Sequence, residues 1–143
     1  MSYVKAWIHT VWGTKNHEPL LQKEFRYKLF NHIKENSKAK QLYVDSINGY
    51  TDHVHCLISL NAETSISKTL QLIKGESAHW VNDSKLLHGK FEWANDYFAV
   101  SVSESVVEKV RSYIDNQEEH HRKITYKEEC DEFFRKYNFT RHG

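Results

Sequence analysis

The run Thr51-Asp52-His53-Val54-His55-Cys56-Leu57-Ile58-Ser59-Leu60 alternates in character from residue to residue, and this constrains the fold more than any other feature of the chain. Successive side chains of a β-strand point to opposite faces, so Val54, Cys56, Ile58 and Leu60 share one face while His53 and His55 share the other. The apolar face is the core face. Both imidazoles then project from the opposite side of the sheet, close enough for their ring nitrogens to hold one divalent ion.

The other segments supply partners for such a strand. Tyr3 to Trp12 is rich in β-branched and aromatic residues and reads as strand one, ended by Gly13 and Pro19. Phe25, Leu29 and Ile33 recur every four residues between about Lys23 and Lys38, the spacing of an amphipathic helix. Leu42 to Ile47 and Asp52 to Leu60 read as an antiparallel hairpin, with Asn48-Gly49 as its turn signal. Ile66, Leu70, Ile73, Ser77 and Trp80 predict a second helix to about Val81, with Thr64 or Ser65 as its cap. Asn82 to Asp96 has little pattern and reads as a long loop before a strand from Tyr97 to Val102. Ser105 and Glu108 fit a capping box ahead of a third helix whose apolar face is Val106, Val107, Val110 and Ile114. A last, charged helix runs from about Tyr126 to Tyr137. The order β-α-β-β-α-β is that of a ferredoxin-like α+β sheet with helices on one face, and it leaves the histidine face open for chemistry.

Composition narrows the class of protein. At 143 residues and 39% hydrophobic content the chain suits one domain, residues 1–143, with a real core. Twenty basic against 19 acidic residues leave a net charge of +1, so any nucleic-acid contact has to come from local basic clusters. Aromatics at 13% serve mainly the core, with stacking on unpaired bases as the alternative use. The two cysteines, Cys56 and Cys130, lack metal-type spacing, and Cys56 falls on the buried strand face, which implies a reduced, cytoplasmic protein. No apolar run approaches the ~20 residues needed to cross a bilayer, and the N-terminus has no secretory pattern.

A second motif lies on helix three. Residues four apart on a helix share a face, so Tyr113 and Gln117 lie together, with His120 a turn further on. A phenol is a weak nucleophile at neutral pH, yet it can attack a phosphodiester polarised by a divalent cation and form a phosphotyrosine linkage. His53, His55 and the amide oxygen of Gln117 would give the ion three protein ligands and leave positions open for phosphate and water.

Asp52-His53-Val54-His55, Tyr113-Ile114-Asp115-Asn116-Gln117 and the early Trp12-Gly13-Thr14-Lys15 occur in an order that resembles the HUH single-tyrosine transposases of bacterial insertion sequences and their relatives associated with repetitive extragenic palindromes. The resemblance covers nearly the whole chain. It implies metal-dependent cutting and rejoining of single-stranded DNA with hairpins at the element ends. It assigns His53, His55 and Gln117 to Mg²⁺ or Mn²⁺ and makes Tyr113 the nucleophile. It also implies a homodimer in which the tyrosine helix of one subunit completes the partner's site, so that helix three is exchanged.

Each residue has a plainer use. A lone His-x-His pair is more often surface or structural than a metal site, a tyrosine on a half-apolar helix face is ordinarily core, and Gln117 alone would be a solvated helix residue. His120 and His121 fall in a charged run whose default is an exposed helix end, with His120 as a substitute ligand. His9 either approaches the site or fills a packing niche, and packing is the expectation. Lys15, Lys68 and Lys74 are candidate DNA phosphate contacts, although a lysine is ordinarily just solubilising. Two other functions share this pattern: a catalytically silent hairpin-binding protein, and a metal-dependent phosphoesterase that uses water and leaves Tyr113 idle.

Overall fold

The computed structural model describes residues 2–141. Its sheet is built from β1 (Ala6–Gly13), β2 (Tyr43–Gly49), β3 (His53–Leu60) and β4 (Phe98–Val102), in the spatial order β2-β3-β1-β4, with every neighbouring pair antiparallel. Helix α1 (Lys23–Ala39) joins β1 to β2, and α2 (Ile66–Ser84) joins β3 to β4. This is the ferredoxin-like arrangement read from the element order. Ser65 starts α2 as expected of a cap, its side chain accepting the Lys68 backbone N–H.

The alternation in β3 sorts its residues as predicted. Val54, Cys56 and Ile58 lie in one cluster with Leu29, Phe30 and Ile33 of α1 and Leu70 and Ile73 of α2. Leu57, on the histidine side, lies in a second cluster with Trp7, Val107 and Ile114. In the β1 pairing Gly13 stands opposite His53 and Val11 opposite His55, so β1 shows the histidines a small and an aliphatic neighbour.

The histidine face is not open. Helix α3 (Val107–Asp115), the short α4 (Gln117–His120) and α5 (Tyr126–Lys136) cover it, leaving His53 and His55 without solvent exposure. Val107 and Ile114 of α3 need an apolar surface, and Trp7 and Leu57 provide one there. Tyr126 of α5 stacks on His53 with ring centroids 4.2 Å apart, and Phe133 packs on Phe98 of β4 at 5.4 Å.

Four local expectations change. Asn48 and Gly49 end β2 rather than form the turn, which is made by residues 50–52 and closed by Tyr50 N–H donating to the His53 carbonyl at 3.1 Å. Gly49 answers a close approach instead: a Cβ there would stand 2.1 Å from the His53 carbonyl oxygen. The Ser105–Glu108 capping box does not form, because residues 104–106 wind into a 3-10 turn that places Ser105 inside it, and Glu108 pairs with Arg111. The stretch from Asn82 is no free loop. Residues 82–84 complete α2, the Asn82 side chain pairs with both backbone groups of Phe91, and Trp93 donates to Ser77 Oγ at 2.9 Å. Phe91 and Trp93 are core residues, which the polar surroundings in the sequence concealed. Helix three breaks at Asn116, so Tyr113 and Gln117 belong to successive helices.

Candidate metal and nucleophile centre

Imidazoles from β3 and from the end of α4 converge beneath α5. His53 and His55 come from β3, His121 follows α4, and their ligand atoms together with a Glu129 carboxylate oxygen all lie within 4.8 Å of one another. Across an ion with bonds of 2.0–2.1 Å, opposed ligands stand about 4.2 Å apart, so the cluster has the dimensions of a divalent-metal site with little contraction. The Gln117 amide oxygen is 3.3 Å from His53 Nε2, and the amide nitrogen donates to the Tyr113 carbonyl at 3.3 Å, which fixes the oxygen toward the histidines.

The outer hydrogen bonds determine which ring atoms are free. His53 Nδ1–H donates to Asp52 Oδ1 at 2.9 Å, and His121 Nδ1–H donates to the Ile124 carbonyl at 2.9 Å. Each neutral ring then turns a lone pair inward at Nε2. Burial lowers the His53 pKa, despite the opposing pull of Asp52, and lowers that of His55 to about 3. His55 Nδ1 lies 2.9 Å from His9 Nε2, and with His55 as the donor of that hydrogen bond its inner Nε2 is left unprotonated as well.

The result is a cluster of acceptors facing acceptors. His121 Nε2 is buried without a hydrogen-bond partner, 3.3 Å from a Glu129 oxygen that is also 3.0 Å from His55 Nε2 and 3.4 Å from His53 Nε2. Burial alone would push the Glu129 carboxyl up, and only protonated imidazoles at His121, His55 and His53 would outweigh it and hold the group ionised. Its ion-pair partners among the described residues are histidines alone. A buried anion ringed by neutral rings is costly unless a cation joins it. The residues present therefore fit a divalent metal.

Tyr113 stands beside this cluster. Its hydroxyl donates to Glu129 Oε2 and lies 3.3 Å from His120 Nε2, and its ring meets His55 edge-on at 5.5 Å. Burial, then the Glu129 charge, raise its pKa, so the phenol is protonated at neutral pH in this arrangement.

Comparison with known proteins agrees with the fold and with the family resemblance. Residues 2–117 match the family described as Transposase IS200 like. The chain belongs to that family. The ISDra2 transposase TnpA of Deinococcus radiodurans is 25% identical over 114 residues, a match spanning 76% of this chain and 81% of the relative. A crystal structure of a transposase from Deinococcus radiodurans R1 superposes with a TM-score of 0.65 at 25% identity, covering 82% of this chain and 95% of the other. A REP-associated tyrosine transposase bound to a REP hairpin shares the fold, with a TM-score of 0.54 at 18% identity over 82% of this chain and 67% of the other.

Of the predicted site residues, the structure brings His53, His55, Gln117 and Tyr113 of this IS200-like transposase into one centre. His9, expected in a packing niche, touches His55 instead. His121, rather than the substitute candidate His120, has its ring nitrogen among the converging donors. His121 and Glu129 lie beyond the 2–117 match, and nothing in their charged surroundings distinguishes them from a solvated helix end. The lysines are scattered. Lys15 pairs with Glu92 at 2.7 Å, and Lys74 donates to the carbonyls of Ala94 and Asn95. Both line an open groove of about 740 Å³ with Lys90, Trp93 and Tyr97, while Lys68 is exposed on α2 outside that lining. No described helix is long and apolar enough to cross a membrane.

Proposed function

We propose that this IS200-like transposase cleaves and rejoins single-stranded DNA at hairpin-bearing element ends through a covalent 5′-phosphotyrosine on Tyr113. The observation that carries the reading is the Tyr113 hydroxyl set beside His53, His55 and Gln117 in one buried centre. In cleavage the Tyr113 oxygen bonds to phosphorus, the bond from phosphorus to the 3′-oxygen breaks, and the DNA leaves with a free 3′-hydroxyl. Rejoining is the reverse attack by a 3′-hydroxyl, which releases the tyrosine. His53, His55 and Gln117 would hold Mg²⁺ or Mn²⁺, which when bound supplies the positive charge that polarises the phosphodiester. Gln117 also ties the Tyr113 backbone to the metal centre, and Glu129 of α5 accepts the hydrogen bond of the half-buried phenol.

The same proposal includes the partners. Lys68 and the groove carrying Lys15 and Lys74 are the candidate contacts to DNA phosphates. The protein acts as a homodimer in the cytoplasm, with residues 1–143 as one domain, and exchange of the Tyr113 helix between subunits would give each centre its partner's tyrosine. The hairpin-bound relative of the same fold supports hairpin DNA as the substrate class.

The test is labelled single-stranded hairpin DNA from the gene's flanks, incubated with Mg²⁺ or Mn²⁺ and run on a denaturing gel. A protein–DNA band that is lost with chelator and in Tyr113→Phe is the expected result. Binding without a band across several hairpins and both ions would make the protein a silent hairpin binder. Cleavage that survives Tyr113→Phe would make it a water-using phosphoesterase.

A further inference from the structure

We propose that the C-terminal segment supplies two ligands of the metal, His121 and Glu129, and that Glu129 also holds the Tyr113 hydroxyl against the ion. The proposal rests on the reading that an ion sits at His53 and His55, and it changes who completes that site. Gln117 offers a neutral amide oxygen, whereas Glu129 offers a carboxylate, the stronger partner for a hard divalent cation.

Three observations converge on Glu129. It has no solvent exposure, and one of its oxygens faces the Nε2 atoms of His53, His55 and His121 at 3.4, 3.0 and 3.3 Å. The opposite oxygen takes the Tyr113 hydroxyl and lies 3.0 Å from His120 Nε2. The two oxygens thus work in different directions, one toward the metal centre and one toward the nucleophile. His121 adds the third observation, a buried ring nitrogen with no hydrogen-bond partner, held in place by the Nδ1–H bond to Ile124. An unpartnered buried lone pair beside a carboxylate oxygen is unfavourable, and a shared cation turns the repulsion into coordination.

The local sequence builds this arrangement. Thr125 and Glu128 form a reciprocal capping box that starts α5, and Tyr126 lies flat on His53 within 6° of parallel. Glu129 is three residues past Tyr126, on the same helix face, so the stacking that seats Tyr126 aims Glu129 at the histidines. Gly13 makes room for this, since a Cβ there would stand 2.8 Å from the Tyr126 ring. Three imidazoles with one carboxylate are richer in nitrogen than Mg²⁺ prefers, so Mn²⁺ is the better probe.

The experiment titrates Mn²⁺ into the full chain, followed by calorimetry and electron paramagnetic resonance, with circular dichroism to confirm folding. Glu129→Gln and His121→Ala should each weaken Mn²⁺ binding about tenfold or more, since even outer-shell partners of metal ligands are worth 10–100-fold. If either variant binds within about twofold of wild type while His53→Ala loses binding, the proposal falls and the wider reading of the site stands. Tighter binding by Glu129→Gln would show the carboxylate standing in the ion's place, which also overturns the proposal. If His53→Ala binds Mn²⁺ as wild type does, both readings fall. Electron spin echo spectroscopy of the wild type needs no variant, and it should count three coordinated imidazole nitrogens. Two would overturn the assignment of His121.

Discussion

Gly49→Ala and Gly75→Ala should move stability in opposite directions, and the reason lies in what each new methyl would meet. At Gly49 the Cβ would stand 2.1 Å from the His53 carbonyl oxygen and 3.0 Å from its carbon, both backbone atoms. Ordinary contact begins at 3.4 Å, so the turn after β2 must open by more than an ångström or the carbonyl of His53, a candidate metal ligand, must swing away. Overpacking a core costs about 1–3 kcal/mol, and the need to move backbone places this variant at the top of that range. The smaller entropy of the unfolded Ala chain offsets only about 0.5 kcal/mol. At Gly75, in the middle of α2 and exposed, nothing lies within 4 Å of the Cβ, and replacing a helical glycine gains roughly 0.5–1 kcal/mol. At about 2–4 °C per kcal/mol for a chain of this size, Gly49→Ala should melt about 5–10 °C below wild type and Gly75→Ala a few degrees above it. Scanning calorimetry with chelator present measures both. A Gly49→Ala variant that melts at or above the wild-type temperature would refute the close-approach argument, because the strain has nowhere else to go.

Acid should destabilise the metal-free protein before its carboxylates titrate. Burial lowers His9 to about 4, against the pull of Glu129, and His55 to about 3, while the unfolded chain takes up these protons near 6.5. The stability due to neutral burial is therefore complete above pH 6.5 and is lost as the pH falls toward 4, at about 1.4 kcal/mol per pH unit for each proton. Melting temperatures in chelator should fall across that window and fall less steeply in His9→Gln, and a flat profile would contradict the buried neutral assignment. Trp93→Ala should cost about 3–5 kcal/mol in urea unfolding, because the ring packs on Trp12 and Phe91 at 5.8 and 4.7 Å and donates to Ser77. A loss under about 1 kcal/mol would mean that residues 85–97 are a loose connection after all.

Where a residue's role follows from its near neighbours in the chain, it was legible before the fold was known. The two-residue alternation in β3 sorted Val54, Cys56 and Ile58 from His53 and His55, since strand geometry sends adjacent side chains to opposite faces whatever the rest of the chain does. The four-residue recurrence of Phe25, Leu29 and Ile33 located α1 to within one residue at its end. Where local signals compete, the reading failed. Asn48-Gly49 looks like a turn because glycine tolerates any backbone, but here the missing Cβ is what matters, and only the position of the His53 carbonyl reveals that. Ser105 and Glu108 have cap spacing, yet the chain winds one turn earlier.

The sequence by itself determined the layer order, the face on which each β3 residue lies, and the residue types suited to metal and phosphoryl chemistry, because each of these follows from spacings of two to four residues. Only the tertiary structure decided what closes the centre. His53 meets Gln117 across 64 residues of chain, and His55 meets Glu129 across 74. Such contacts depend on how α3, α4 and α5 return over the sheet, driven by burial of Val107, Ile114, Tyr126 and Phe133. No local periodicity separates Glu129 from the other acidic residues around it, since its distinction is the set of imidazoles it reaches once that apolar return is complete.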